Sequence, residues 1–330
     1  MEDCLQNQKI DFACGTASFG NLYKEVDATT VENTLEGVWN LGYRYFDTAP
    51  FYGFGLSERR VGDFLRGKHP SEYIISTKVG RLLHPDASYN PHRDFFINAL
   101  PFRPEYDYSY DGIMRSFEDS LQRLGLEKID ILYMHDIGRV THGNDHDRQM
   151  KIAMSGGYKA LETLKSEKLI KGIGLGANEY EVCEEALDYG DWDYFLLAGR
   201  YTLLEQEAIK TFIPKCKQRG SQIVLGGVFN SGILATGAHQ GAKYNYEDAP
   251  KEILEKVRKI ESICKKYNIS LPHAAIQFPL LNDNVSAILI GSAKLKHFES
   301  PLKDMHTEIP FAFWKELIQS KLLREECLLN

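Results

Sequence analysis

Short apolar runs rich in β-branched and aromatic residues recur along the chain, with amphipathic stretches in the intervals. The runs are DFACG from Asp11, YRYFD from Tyr43, YIISTK from Tyr73, IDILYMH from Ile129, IKGIGLG from Ile170, DYFLLA from Asp193, QIVLGG from Gln222 and SAILIG from Ser286. Each has the length of a strand, and most are apolar on both alternating faces, the pattern of strands covered on two sides. Between them TVENTLEGVWNLG, YDGIMRSFEDSLQRLG, YKALETLKSEK and KEILEKVRKIESICKKY return an apolar residue every three or four positions, which predicts helices. In the second of these Ile113, Phe117, Leu121 and Leu124 share one face, and Gly125 stands where the helix should stop.

Strands alternating with helices pair in parallel. Eight such units in 330 residues predict an α/β fold, a closed (β/α)8 TIM barrel with its active site at the carboxyl ends of the strands. An open doubly wound sheet is the alternative. Against it, ACGTASFGN after the first strand holds Gly15 and Gly20 without the GxGxxG spacing that seats a pyrophosphate on a helix. No Pro-, Gly- and Ser-rich stretch reads as a linker, so residues 1–330 are expected to form one domain. The stretch from Arg81 to Tyr110 shows no clear element. Its aromatic residues, Tyr89, Phe95, Phe96, Phe102, Tyr106 and Tyr108, suit a loop over a pocket as well as one packed only on its own barrel.

Composition narrows the function without choosing it. The opening MEDCLQNQKI lacks a basic start followed by an apolar run, and no apolar stretch approaches the roughly 20 residues that cross a bilayer. A soluble, cytoplasmic protein is expected. A net charge of -7 with no basic block argues against nucleic acid or an anionic membrane and toward a small-molecule partner. Cys4, Cys14, Cys183, Cys216, Cys264 and Cys327 stand singly with no CxxC pair, which suggests buried free thiols and no metal site. Oligomeric state leaves no mark on the sequence.

Polar residues that close apolar runs carry the candidate chemistry. Asp47 closes the second run and leads to Tyr52, Lys78 closes the third, and His135 closes the fourth. Each alone has an ordinary explanation as a turn cap, loop anchor, rim charge or core hydrogen-bonding group. Together they bring carboxylate, phenol, ammonium and imidazole to one end of a barrel. A free tyrosine ionises near pH 10. A neighbouring Lys78 cation stabilises the phenolate and Asp47 fixes the lysine, so Tyr52 is expected to act as general acid or base. A neutral His135 is expected to hydrogen-bond the substrate oxygen. The set suits proton transfer at a carbonyl oxygen while hydride moves to or from its carbon.

With FDTAPFYG, STKVG and YMHDI in place, and with GLSE and SFEDSLQRLGLEKIDILYMHD around them, the chain resembles the aldo-keto reductase superfamily over nearly its whole length. Its Asp, Tyr, Lys and His tetrad matches Asp47, Tyr52, Lys78 and His135. GTASFGNLY and DYSYDGIMRSFEDSLQRLG are similar to the branch of D-threo-aldose (L-fucose) dehydrogenase, L-galactose dehydrogenase and pyridoxal 4-dehydrogenase.

This resemblance implies a nicotinamide cofactor, NAD with NADP as the alternative. The activity it implies is oxidation of an aldose at C1 to the lactone, with pyridoxal as the rival substrate and other aldehydes or alcohols of the same class. A reading of another kind is a cofactor-sensing interaction protein, since barrels of this family also serve as channel subunits. Asn178 matches the residue that holds the carboxamide, while Ala198 and Gly226 replace the family's usual Gln and stacking aromatic. Asn230, Ser231, Gly232 and Leu234 are implied at the pyrophosphate, and Gly291, Ser292, Lys294 and Glu299 at the adenosine, where Pro301 replaces an Asn. Phe19, Tyr52, His135, Arg200 and Trp314 are the implied substrate contacts.

Overall fold

The computed structural model describes residues 12–305 and 307–328. The strands are β1 (Phe12–Gly15), β2 (Tyr45–Asp47), β3 (Ile74–Val79), β4 (Arg81–Pro85), β5 (Phe102–Tyr106), β6 (Ile131–His135), β7 (Gly172–Ala177), β8 (Tyr194–Ala198), β9 (Gln222–Gly226), β10 (Lys243–Tyr244), β11 (Glu247–Asp248) and β12 (Val285–Gly291). Eight of them close a parallel barrel in the order β1, β12, β9, β8, β7, β6, β3, β2. These are the eight runs read from the sequence, and the fold is the expected TIM barrel.

Burial on both faces explains why the strands read as continuous apolar runs. Ala13, Tyr45, Ile131, Tyr133, Leu196, Val224, Ala287 and Leu289 fill the interior of the barrel, where the Tyr45 and Tyr133 hydroxyls meet at 3.0 Å. The alternate positions, among them Cys14, Phe46, Ile75, Leu132, Ile173 and Phe195, belong to a larger cluster shared with the helix layer. Every strand of the barrel has two partners, so no edge is left to pair with another chain.

The helices form where the periodicity placed them. α1 (Ala28–Asn40) starts at Asp27, whose carboxylate accepts from the Thr30 N–H, and α2 (Leu56–Leu65) follows β2. α3 (Tyr110–Leu124) is capped by the Ser109 side chain and stopped by Gly125 in left-handed backbone, whose N–H donates to Leu121. Helices Tyr158–Ser166 and Lys251–Lys266 match the other two segments. No helix among the described residues is long and apolar enough to cross a membrane. Cys14, Cys183, Cys216, Cys264 and Cys327 are buried and free; Cys4 lies outside the described residues.

Two ribbons stand outside the barrel. The stretch given no element carries the antiparallel pair β4 and β5, which runs outward from the end of β3. A second small hairpin, β10 with β11, follows β9 and turns through Asn245 and Tyr246, both in left-handed backbone. Both ribbons rise from carboxyl ends of barrel strands and so belong to the mouth.

Candidate active site

β2, β3 and β6 are neighbours in the barrel, and their register brings Asp47 beside Ser76 and Lys78 beside Tyr133. Lys78 and Asp47 face each other with side chains only 2% exposed. Lys78 Nζ donates to Asp47 Oδ2 at 2.7 Å and to the Thr48 carbonyl at 2.9 Å, and Ser76 Oγ donates to Asp47 Oδ1 at 2.7 Å. Burial of a lone cation would be costly, and this pairing answers it. Burial is the largest influence on Lys78 and pulls its pKa down, but Asp47 and then Tyr52 outweigh it, so the pKa rises and the side chain stays charged.

Tyr52 is set by a close backbone approach. A Cβ on Gly20 would lie 2.5 Å from the Tyr52 carbonyl carbon, and one on Gly53 would lie 2.4 Å from the Gly20 oxygen. Gly53 also has a φ of +65°, so the tyrosine is held between turns that only glycine permits. Its ring centroid lies 4.7 Å from Lys78 Nζ and 6.3 Å from the His135 ring, to which it stands perpendicular at 89°. The phenol is raised above its ordinary value of 10. Burial is the largest cause and exceeds the downward pull of Lys78, while Asp47 and Asp136 add to the rise. Sequence reasoning weighed the cation and not the desolvation.

His135 ends β6 and is almost wholly buried. Burial, then Arg81 and Lys78, push it well below the usual histidine range, so it is neutral. Its Nδ1 is buried with no partner and its Nε2 lies 3.4 Å from Asp136 Oδ2. The ring proton belongs on Nε2, the nitrogen with an acceptor beside it. The Tyr108 hydroxyl donates to the His135 carbonyl at 2.7 Å and fixes the strand end.

The residues expected to hold a nicotinamide cofactor surround the same mouth. Asn178 follows β7, and Ala198 and Gly226 face each other in the register of β8 and β9, so two small residues stand where the family carries larger ones. After β9, Asn230, Ser231 and Gly232 take consecutive left-handed conformations, φ 44°, 59° and 99°. The N–H groups of Asn230, Gly232 and Leu234 donate to Gly227 and Phe229 carbonyls. Among the described residues of this turn, the unclaimed donors include those of Val228, Phe229 and Ser231. A glycine-lined turn with unclaimed N–H groups fits a phosphate.

Asn230 does not aim at a ligand. Its side chain accepts from Thr202 Oγ1 and donates to the Gly199 carbonyl, tying the turn to the end of β8, and Leu234 is a core residue. At the last strand, Gly291 and Lys294 are exposed and Glu299 is half-buried. Ser292 Oγ accepts from the Lys294 N–H and meets His297 at 2.7 Å.

One of the implied substrate contacts is not at the mouth. Trp314 is buried in the helix layer against Phe313 and Phe278, whereas Phe19 follows β1 and is fully buried beside the turn that meets Tyr52. The aromatic side chain near the chain end serves the core here. Arg200 does stand at the rim, but its guanidinium donates to the Asn178 and Gly199 carbonyls and to Asn245 Oδ1.

The sequence reading missed three features of this mouth. Tyr246, at the tip of the β10–β11 hairpin, stacks on Phe95 at 6.2 Å, and Phe95 meets Tyr23 edge-on at 6.1 Å. Tyr246 also gives its N–H to Ser231 Oγ at 2.9 Å. Asp136 and Arg81 form a second ion pair beside the tetrad, with side chains 13% and 4% exposed. The acid next to the histidine in YMHDI was the available signal.

A parallel barrel with this set of groups at its strand ends defines an oxidoreductase, and the comparisons agree. Residues 11–320 match the model of the Aldo/keto reductase family, and the chain belongs to that family. It is 44% identical to pyridoxal 4-dehydrogenase of Microbacterium luteolum, over 94% of this chain and 93% of that one. It is 37% identical to D-threo-aldose 1-dehydrogenase of a Pseudomonas species, again over 94% and 93%. Among solved structures, the holo form of an aldo-keto reductase from Bacillus halodurans superposes with a TM-score of 0.72 at 22% identity, covering 95% of this chain and 92% of that one.

Proposed function

We propose that the protein oxidises the cyclic hemiacetal of an aldose at C1 to the lactone. The observation that carries this reading is the Lys78 ammonium, held between Asp47 at 2.7 Å and the Tyr52 ring at 4.7 Å. That arrangement lets Tyr52 take the proton of the hemiacetal hydroxyl as the C–O bond becomes C=O. His135, neutral and protonated on Nε2, orients that oxygen by donating to it. The nicotinamide cofactor, when bound, supplies the acceptor for the hydride that leaves C1. Asn178 and the unclaimed N–H groups of Val228, Phe229 and Ser231 hold it, with Ser292, Lys294 and Glu299 toward the adenosine.

NAD is the favoured nucleotide. A 2′-phosphate is normally met by an arginine fork or convergent donors, and GSAKLKHFESP offers no Arg and one acid, Glu299. The name of the 44% identical relative favours a second substrate, pyridoxal, whose cyclic hemiacetal also gives a lactone. Initial rates with L-fucose, L-galactose, D-arabinose and pyridoxal, each with NAD and NADP, test the reading. Nucleotide binding without turnover of any of these and of a wider alcohol and aldehyde panel overturns it in favour of a cofactor-sensing protein.

A further inference from the structure

Asp136 sits immediately beyond the histidine of the tetrad, at a φ of 52°. Few side chains accept that backbone, and Asp and Asn are among those that do. The turn is braced: the Asp136 N–H donates to the Gly176 carbonyl at 2.9 Å, and its own carbonyl accepts from the Tyr108 hydroxyl at 3.3 Å. A carboxylate has been fixed next to the place where the substrate oxygen meets His135.

Its partner is as firmly placed. Arg81 lies with its guanidinium carbon 4.1 Å from the Phe51 ring centroid and 5.1 Å from that of Tyr106, and donates from Nη2 to Asp136 Oδ2. Arg81 is the more enclosed member, 4% exposed against 13% for the acid. The acid is therefore the less enclosed end of the pair. Oδ2 accepts from Arg81 and lies 3.4 Å from His135 Nε2 without a hydrogen bond between them, whereas Oδ1 has no hydrogen-bond partner among the described residues.

We propose that Asp136, held by Arg81, determines substrate class by accepting a hydrogen bond from the hydroxyl on the carbon next to the reacting one. This rests on the hemiacetal reading above and deepens it. An aldose carries such a donor at C2. Pyridoxal instead carries an acidic phenol near its reacting carbon, and a fixed carboxylate disfavours the ionised form of that group. The Arg81–Asp136 pair thus selects sugars. A merely structural pair, tying β4 to the end of β6, makes no such distinction.

The test compares D-arabinose with 2-deoxy-D-ribose, which differ only at C2. The wild-type enzyme is expected to favour D-arabinose in kcat/KM by about 10- to 100-fold, the effect of one hydrogen bond to a charged group. Asp136→Asn keeps a residue that tolerates the left-handed backbone and removes the charge. It is expected to lower kcat/KM for D-arabinose by about 10- to 100-fold more than for 2-deoxy-D-ribose, with nucleotide binding intact. An equal loss on both sugars, or no loss, overturns the proposal. So does a wild-type enzyme that is indifferent to the C2 hydroxyl or prefers pyridoxal to every sugar, which needs no variant. Oxidation of sugars without C2 discrimination removes this inference alone; no oxidation of any hemiacetal removes the underlying reading as well.

Discussion

Replacing Lys78 by methionine keeps a side chain of similar length and removes its charge. The change takes from Asp47 its 2.7 Å partner and from the Thr48 carbonyl its donor, both inside the barrel. Ser76 still donates to Asp47 at 2.7 Å, so the carboxylate keeps one hydrogen bond. Removing one member of a buried ion pair costs about 3 to 5 kcal/mol, and with Ser76 retained the lower end is expected near neutral pH. Burial already raises the Asp47 carboxyl, and Lys78 is the strongest influence opposing it. Without Lys78 the folded-state pKa climbs further above that of the unfolded chain. A carboxyl raised in this way contributes stability that is full below the unfolded pKa and is lost as the pH rises through the folded one. The deficit of the variant against wild type is therefore smaller at about pH 5 than at about pH 8. Urea unfolding followed by tryptophan fluorescence at the two pH values measures it. A deficit below about 1 kcal/mol at the higher pH, or one that shrinks as the pH rises, refutes the reasoning.

Tyr52→Phe removes the proton-transferring hydroxyl and leaves the ring, so turnover is expected to fall by about 100-fold or more with nucleotide affinity little changed. Steady-state kinetics and nucleotide titration check this, and near wild-type turnover removes Tyr52 from the mechanism. Because oxidation needs the phenolate and burial raises the Tyr52 pKa, the oxidation rate should climb from neutral into alkaline pH. A flat profile between about pH 6 and 10, with chemistry rate-limiting, contradicts the assignment. For the nucleotide, kcat/KM should favour NAD, and a preference of about tenfold or more for NADP shows that Lys294 and Lys296 outweigh the missing arginine.

The barrel was legible because its strands are buried on both faces and its helices on one, and each kind of burial writes its own period into the sequence. The ribbons were not. β5 reads FRPEY, with Pro104 between two charges and little of it buried, so no apolar alternation marks it. The β10–β11 hairpin has strands of two residues and turns through Asn245 and Tyr246, where a sequence search looks for glycine. The tetrad was visible since strand ends are the informative positions in this fold. Trp314 shows the limit of that method: an aromatic residue near an expected pocket looks the same in sequence whether it lines the wall or packs behind it. Asp136 shows the converse, an acid that reads as loop and lies beside the histidine because of one left-handed residue.

Tyr23, Phe95 and Tyr246 all lie in left-handed backbone, φ 63°, 68° and 70°. That conformation costs an ordinary side chain about 1 to 2 kcal/mol and suits glycine. At these three positions the residue most comfortable for the chain is not the residue present. Selection for heat resistance alone would drift toward glycine there, and each such step would take a ring from the wall that joins loops rooted at β1, β3 and β9. An engineer seeking a hardier enzyme should draw the gain from the barrel and leave these three loci uneasy.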